Sequence, residues 1–291
     1  MTKKRSSRQT PDWPLKAYKN LDFLTAPEGR IVRVLAEFME PAARFEKRHV
    51  YNTIVFFGSA RTLPPDEAKG NLARIEKQMK SRTGDPQALR KQHGAAKRAV
   101  AMSRYYEDAA RLAEKLTRWS MGLKEKGKRF LICSGGGGGI MEAANRGARK
   151  AGGTSIGLNI SLPLEQSPNR YQSRDLSFEF HYFFIRKFWL FYLAKALVAF
   201  PGGFGTMDEL FELLTLVQTK KTKKYMPIIV YGTEYWNRIL DFEALAEMGT
   251  IDEEDLQCFR FADDVDEAFE YLKQELTKHY VRNGKKQELP L

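Results

Sequence analysis

A run of five consecutive glycines places the tightest constraint on what this chain can fold into. The glycines are Gly135, Gly136, Gly137, Gly138 and Gly139. They separate a short apolar β-type run, Phe130–Cys133, from an amphipathic helical stretch, Ile140–Lys150. Glycines let an anion approach the backbone amides at a helix N-terminus, where the helix dipole favours negative charge. A flexible linker has no reason to join a buried strand to an amphipathic helix, so we expect this loop to contact a phosphate or another part of a ligand.

A second glycine-rich loop repeats the arrangement further along the chain. The apolar run Leu197–Phe200 is followed by Pro201-Gly202-Gly203-Phe204-Gly205-Thr206-Met207-Asp208-Glu209 and then by a helical stretch. Thr206 and Glu209 have the spacing of a capping box, so one interpretation makes Glu209 a helix cap. The other assigns it to a ligand, because two glycine-rich helix starts at one sheet edge exceed what helix initiation requires. A carboxylate at the third helical position, facing the amides, is expected to stay ionised.

Short apolar runs alternate with helical stretches through most of the chain. The predicted strands are Thr53–Phe57, Phe130–Cys133, Thr154–Leu158, Ala196–Phe200 and Ile228–Tyr231. The predicted helices are Ile140–Lys150, Phe184–Ala194, Met207–Gln218, Tyr235–Ala246 and Val265–His279. Such alternation predicts an α/β fold, a parallel sheet with helices on both faces. Both glycine loops would then lie at the carboxyl ends of the strands, where open α/β sheets bind ligands.

The remaining segments predict a single domain with additions. Residues 1–27 are expected to form a poorly ordered basic lead-in, 28–50 a helical segment that Pro41 breaks or kinks, 51–280 the α/β domain with both glycine loops, and 281–291 a tail. Residues 64–100 are predicted to be a mostly helical, exposed insertion before a crossover helix that starts near Ala101.

The net charge of +12 is concentrated in one stretch. Residues 69–129 hold 17 Lys/Arg and 6 Asp/Glu, a surplus of +11. A basic segment can attract RNA, DNA or a membrane surface, or it can be a solvated helical face. Few aromatic residues are interleaved with these charges, which favours the solvated face over single-strand binding. A nucleic-acid partner therefore stays open but is not favoured.

The sequence lacks the patterns that mark several classes of protein, so these classes are disfavoured. No stretch approaches the ~18 apolar residues of a membrane span, and the basic N-terminus is not that of a secretory signal. Two distant cysteines argue against a disulfide scaffold or a zinc site and favour the cytoplasm. No metal site or cofactor is predicted, and neither a G-x-S-x-G motif nor a histidine triad pattern occurs. The dinucleotide fingerprint fails because its last glycine would fall on Ile140, Met141 or Glu142, and no Lys-Ser/Thr follows the glycines as a Walker motif requires.

Two basic residues lie in an otherwise apolar helix, Phe183–Tyr192. Arg186 and Lys187 are costly to bury unless each has a partner. The partner could be an anionic ligand, or the side chains could extend to the surface. Spacing alone does not decide between these alternatives.

Four segments carry a shared pattern: Ser134–Ala148, Ser155–Tyr171, Arg186-Lys187 and Pro201–Glu209. Together they resemble the LOG, or "lonely guy", family, in its longer bacterial branch related to nucleotide 5′-monophosphate nucleosidases. The resemblance covers about residues 51–241 except for the insertion. Five consecutive glycines replace a loop that often contains proline in relatives, and the insertion is unusual.

The resemblance implies a Rossmann-like fold, a homodimer or higher homo-oligomer, and hydrolysis of a nucleoside 5′-monophosphate to free base and ribose 5-phosphate. Arg186 and Glu209 match the family's catalytic pair. Substrate contacts are implied for Ser59, Gly135–Gly139, Glu142 and Lys187, and for the phosphate loop Gly202, Gly203, Gly205 and Thr206. An ionised Glu209 would stabilise positive charge on the ribose, and Arg186 would orient it. The alternative is a nucleotide- or nucleic-acid-binding protein without catalysis.

Overall fold

Seven parallel strands form one sheet at the centre of the molecule. The computed structural model describes residues 13–81, 84–163 and 167–282. The strands are β1 (Thr53–Phe57), β2 (Leu131–Ser134), β3 (Ser155–Ile160), β4 (Ser177–Phe180), β5 (Ala194–Ala199), β6 (Ile228–Tyr231) and β7 (Arg260–Ala262). Their order across the sheet is β4-β3-β2-β1-β5-β6-β7.

Ten α-helices accompany the strands in the described part of the chain. They are α1 (Leu21–Thr25), α2 (Arg30–Lys47), α3 (Pro65–Lys80), α4 (Pro86–Met121), α5 (Ile140–Lys150), α6 (Phe183–Tyr192), α7 (Phe204–Gln218), α8 (Thr233–Ile239), α9 (Phe242–Glu247) and α10 (Val265–Leu276). A π-helix, Thr277–Arg282, continues α10. No helix among the described residues is long and apolar enough to cross a membrane.

Helices cover both faces of the sheet. Ile54 and Phe56 of β1 belong to one buried apolar cluster, which includes residues of α4, α5 and α10. Val55 and Phe57 belong to a second cluster with residues of α2, α6 and α7. Since side chains alternate between the two faces of a strand, the predicted α/β fold with a doubly covered parallel sheet is confirmed.

The two edge strands, β4 and β7, were not predicted from the sequence. Each has three or four residues and mixes polar with apolar side chains, such as Glu179 in β4 and Arg260 in β7. Edge strands pair on one side only, so they lack the continuous apolar run of a central strand.

The helix predicted over Tyr235–Ala246 is divided into α8 and α9 at Leu240 and Asp241. There the Asp241 carboxylate accepts a hydrogen bond from the amide of Ala244 and caps α9.

Pro41 does not break α2, contrary to the expectation from its sequence. The helix continues from Arg30 to Lys47 with Pro41 inside it. Proline cannot donate to the carbonyl four residues earlier, which belongs to Glu37. The Trp189 indole N–H donates to that carbonyl at 3.0 Å, so the unpaired acceptor is satisfied by a side chain of α6.

The insertion is helical, as predicted, but its boundary with the crossover helix was predicted wrongly. α4 begins at Pro86, not near Ala101, and runs for 36 residues. The Asp85 carboxylate accepts hydrogen bonds from the amides of Gln87 and Ala88, and Pro86 occupies the first helical position, both strong start signals. Gly94 lies inside the helix without ending it.

Parts of the predicted lead-in and tail, residues 1–12 and 283–291, lie outside the described residues. Residues 13–27 contain α1 and a short 3-10 helix, Ala17–Lys19. The domain boundaries given above remain predictions.

Strand order reverses beside β1. The chain leaves β1 towards β2, β3 and β4, and then crosses back to β5 on the other side of β1. Open α/β sheets bind ligands in the crevice outside the carboxyl ends of the strands at such a switch point. Both glycine-rich loops follow strands that flank β1, so both lie at this edge.

Candidate functional site

A buried ion pair between Arg186 and Glu209 joins α6 to α7 at the carboxyl edge of the sheet. Arg186 Nη1 lies 3.1 Å from Glu209 Oε1, and the two residues are 7% and 9% exposed. Arg186 Nε also donates to the carbonyl of Leu158 in β3 at 2.7 Å. A buried charge requires such partners. The structure thus brings together the two residues for which the family resemblance implies a catalytic role.

The first glycine loop allows this placement of Arg186. A Cβ atom at Gly135 would lie 2.3 Å from Arg186 Nη2 and 2.7 Å from the sulfur of Met141. No side chain other than hydrogen fits at Gly135 while the guanidinium keeps its position. The close approach of the first glycine loop to the Arg186 guanidinium therefore requires glycine at position 135.

The capping-box interpretation of Glu209 is wrong. α7 begins at Phe204, Gly203 is its N-cap, and no side chain caps it. Glu209 is consequently the sixth helical residue rather than the third, beyond reach of the free amides of the first turn. Its carboxylate faces the guanidinium of Arg186 instead. Thr206 lies in the first turn, buried, and a Cβ atom at Gly202 would lie 2.2 Å from its hydroxyl oxygen.

The protonation of Glu209 also differs from expectation. Burial raises the pKa of the Glu209 carboxyl to about 7, with the charge of Asp208 adding to the rise and Arg186 and Lys187 opposing it. A carboxyl group with this pKa changes its charge near neutral pH. It is not permanently ionised, and a small change in its surroundings shifts the balance.

Ser59 connects the two glycine loops. Its amide donates to the carbonyl of Pro201 at 3.0 Å, and its own carbonyl accepts from the amide of Ile140 at 3.1 Å. A Cβ atom at Gly139, where φ is +64°, would lie 2.2 Å from that Ser59 carbonyl. Glycine is thus required at this position both by backbone conformation and by space.

The first loop rests on a buried network of side-chain amides that the sequence did not predict. Asn169 donates to the carbonyls of Gly136 and Gly137 at 3.0 Å each, and to the side-chain oxygen of Asn145 at 2.9 Å. Gln172 donates to the carbonyl of Gly136 at 2.6 Å. These bonds fix the glycines in one conformation. The only sequence signal was indirect, since Asn169 lies inside one of the segments that resemble the LOG family.

Glu142 and Lys187 have protein partners. Glu142, in the first turn of α5, accepts a hydrogen bond from the Tyr106 hydroxyl at 2.8 Å. Lys187 lies 2.8 Å from Asp208 and 2.9 Å from Glu212. Burial alone would lower the pKa of Lys187, but the two carboxylates outweigh it and raise that pKa. Lys187 therefore satisfies its charge within α6 and α7 and does not depend on a ligand for a partner.

A cleft of about 460 Å³ lies elsewhere, at the amino-terminal edge of the sheet. It is bounded by residues that precede strands, including Val50, Phe130 and Thr154, and by Arg48 and Arg129. None of the predicted site residues lines it. The candidate site is instead the carboxyl edge, where the glycine loops, the buried Arg–Glu pair and the switch point coincide.

The fold and this site define a Rossmann-like α/β protein with two glycine-rich helix starts and a buried acid–base pair at one sheet edge. A family model described as "Possible lysine decarboxylase" matches residues 141–272. A curated rice protein (Oryza sativa subsp. japonica), described as probable cytokinin riboside 5′-monophosphate phosphoribohydrolase LOG4, is 29% identical over 139 residues. The aligned region is 47% of this chain and 59% of the rice protein. These matches confirm the predicted resemblance to the LOG family.

Solved structures give more distant matches. The structural genomics target TM1055 aligns with a TM-score of 0.46 and 19% identity, over 77% of this chain and 99% of that one. A molybdenum cofactor binding protein from Rippkaea orientalis aligns with a TM-score of 0.39 and 19% identity, over 58% and 87%. The Moco carrier protein of Chlamydomonas reinhardtii aligns with a TM-score of 0.42 and 19% identity, over 78% and 99%.

Proposed function

We propose that this chain is a cytoplasmic hydrolase that cleaves the N-glycosidic bond of a nucleoside 5′-monophosphate and releases the free base and ribose 5-phosphate. The observation that carries the proposal is the buried Arg186–Glu209 pair beside the glycine-rich start of α7. The resemblance to the LOG family supports a nucleotide as the substrate.

The 5′-phosphate binds at the N-terminus of α7. Gly203 and Gly205 are exposed, and a Cβ atom at either would meet no other atom within 4 Å. The amides of this first turn have no partners within the helix, and the helix dipole favours an anion there. The space above the loop and its free donors are what a phosphate requires.

Breaking the bond between C1′ and the base nitrogen leaves positive charge on the ribose. Glu209, when ionised, stabilises this charge, and Arg186 orients the carboxylate through the bond between them. The oxygen of a water molecule then bonds to C1′, one of its protons is lost, and the departing base nitrogen gains a proton. Buried charges of this kind act strongly because little water screens them.

The description of the family as a lysine decarboxylase is not supported by the lysines of the site. Schiff-base chemistry needs a lysine with an accessible, unprotonated amine. Lys187 is held by two carboxylates that raise its pKa. Burial lowers the pKa of Lys195 to about 7, but this residue is the second of β5 and lies at the opposite edge of the sheet from the glycine loops.

We further propose that the enzyme is a homodimer. Apolar side chains are exposed along α2 and at the start of α6, which pack against each other. They include Ile31, Leu35, Met39, Phe183 and Phe184. Large apolar side chains exposed on two neighbouring helices are typical of a subunit interface. Light scattering should give twice the chain mass of 33.4 kDa; the mass of a single chain would contradict the proposal.

The phosphate requirement tests the proposed function. Base release from AMP should be faster than from adenosine by about 100-fold or more in kcat/KM, because adenosine cannot use the donors at the start of α7. Equal rates would show that the loop does not bind the phosphate. Base release from neither compound would contradict the proposed chemistry.

A further inference from the structure

The first half of α4 and all of α3 form an arm that extends beyond the sheet. The Tyr106 hydroxyl contacts Glu142 at the carboxyl edge, and Ser120 contacts the carbonyl of Phe130 at the amino edge. Residues 106–120 of α4 therefore span the sheet. Residues 86–104 lie beyond its carboxyl edge, for a length of about 28 Å at 1.5 Å per residue.

This basic arm, which we define as α3 together with residues 86–104, has its own small apolar interface. Its buried apolar residues Ala68, Ile75, Leu89 and Ala96 belong to neither of the two core clusters. α3 packs against α4 along this interface. The arm is thus a helical hairpin supported by α4 rather than a covering layer of the sheet.

Eight basic residues of the arm are exposed and form no ion pair with any described residue. They are Lys69, Arg74, Lys77, Lys80, Arg90, Lys91, Lys97 and Arg98. The arm has three acidic residues. Asp66 and Glu67 lie at the N-terminus of α3, where they complement the helix dipole, and Glu76 pairs with His93. Asp85, just outside the arm, caps the N-terminus of α4. The flanks of the arm are therefore left strongly positive.

One flank concentrates this charge. At 100° per residue, Arg90, Lys91, Lys97 and Arg98 fall within an arc of about 120° on α4. Leu89 and Ala96, which are buried, lie on the opposite side of the same helix. The four cations consequently form one continuous surface, which we call the α4 basic face.

The composition of the arm identifies its partner. No Phe, Tyr or Trp occurs between positions 58 and 104, so the arm lacks the large aromatic side chains on which unstacked bases of a single strand stack. The large apolar side chains that insert into a lipid interface are likewise missing from its exposed faces, apart from Met79. What remains is a row of cations, and duplex nucleic acid presents one phosphate charge per about 1.7 Å of its axis. Arginine in addition pairs with phosphate through two parallel hydrogen bonds.

We propose that the α4 basic face binds the phosphate backbone of duplex nucleic acid without sequence specificity. Contacts to phosphates position a protein on a duplex but carry no sequence information. This binding is independent of the proposed hydrolysis, because none of the four cations belongs to the candidate site.

Salt dependence tests the proposal. Neutralising four phosphates gives a slope of about −3.6 for log K against log salt, which amounts to about 150-fold weaker binding between 50 and 200 mM salt. We would measure the anisotropy of a labelled random-sequence DNA duplex, using the wild type and the variant Arg90→Gln/Lys91→Gln/Lys97→Gln/Arg98→Gln. The matched control replaces Lys124, Lys220, Lys221 and Lys223 by glutamine, which are exposed and outside the arm.

We expect the slope of log K against log salt to become less steep by about 3.6 in the arm variant and to stay unchanged in the control variant. Base release from AMP should be unchanged in both, which separates this result from a failure of the proposed function. Duplex binding that is unaffected in the arm variant would overturn the proposal. So would tighter binding to a single strand of the same length, or to anionic lipid vesicles, than to the duplex.

Discussion

The rate of base release should rise with pH through the ionisation of Glu209. The carboxyl group has a pKa of about 7 in the folded protein because burial disfavours its charged form. The proposed chemistry uses the charged form, so kcat/KM should be low at acid pH and reach a plateau above the pKa. For a pKa of 7, about 9% of the enzyme is active at pH 6 and about 91% at pH 8, a tenfold rise between the two.

Arg186 controls where this rise occurs. Its guanidinium lies 3.1 Å from the carboxylate and lowers the pKa of Glu209 relative to burial alone. In Arg186→Gln the positive charge is lost, and we expect the inflection to move to higher pH by about 1 to 3 units, on a lower plateau. Arg186→Lys keeps the charge and serves as the control, with its inflection near that of the wild type. Initial rates of base release from AMP, followed by chromatography from pH 5 to pH 10, give both profiles.

A wild-type profile that is flat across this range would refute the assignment of Glu209 as the titrating group. An inflection that stays in place in Arg186→Gln would show that the ion pair does not set the pKa. The first result would require another group to stabilise the positive charge on the ribose, and the second would require another cause for the position of the inflection.

Two further substitutions test individual contacts. Gly135→Ala would place a methyl group 2.3 Å from Arg186 Nη2, so we expect base release to fall about 100-fold while circular dichroism shows an intact fold. Gly70→Ala is the control, because a Cβ atom there meets nothing within 4 Å, and it should leave the rate unchanged. Equal rates for the two variants would contradict this reasoning. Trp189→Phe removes the donor to the carbonyl that Pro41 leaves unpaired, and it should lower the free energy of unfolding by about 1–3 kcal/mol. In a Pro41→Ala background the restored amide can serve that carbonyl, so urea unfolding should show a smaller loss; an equal loss in both backgrounds would rule out the compensation.

The central strands and the glycine loops could be predicted because their signals are local. Thr53–Phe57 and Ile228–Tyr231 consist almost entirely of apolar and aromatic residues and coincide with β1 and β6. Ile140–Lys150 coincides with α5, since its apolar spacing and the glycines before it mark its start. The edge strands β4 and β7 depend on one neighbouring strand each, so they have no such signal.

The site itself depended on contacts across the fold. The spacing of Thr206 and Glu209 suggested a cap, but the helix begins two residues before Thr206, so Glu209 meets Arg186 from a different helix. The partners of Lys187, Asp208 and Glu212, also become visible only when α6 and α7 pack together. Local patterns identify residues of this kind, and the tertiary structure decides what they contact.

The most direct test of the proposed hydrolysis is a substrate panel with a variant that removes Glu209. The purified protein is incubated with AMP, GMP, CMP, UMP and isopentenyladenosine monophosphate, and free base and ribose 5-phosphate are both quantified. Glu209→Ala is tested in parallel, with Gly70→Ala as a folded control. We predict equimolar base and ribose 5-phosphate from at least one nucleotide, with the rate lowered by about 100-fold or more in Glu209→Ala and unchanged in Gly70→Ala. Full activity in Glu209→Ala, or no base release from any of the five nucleotides, would contradict the account.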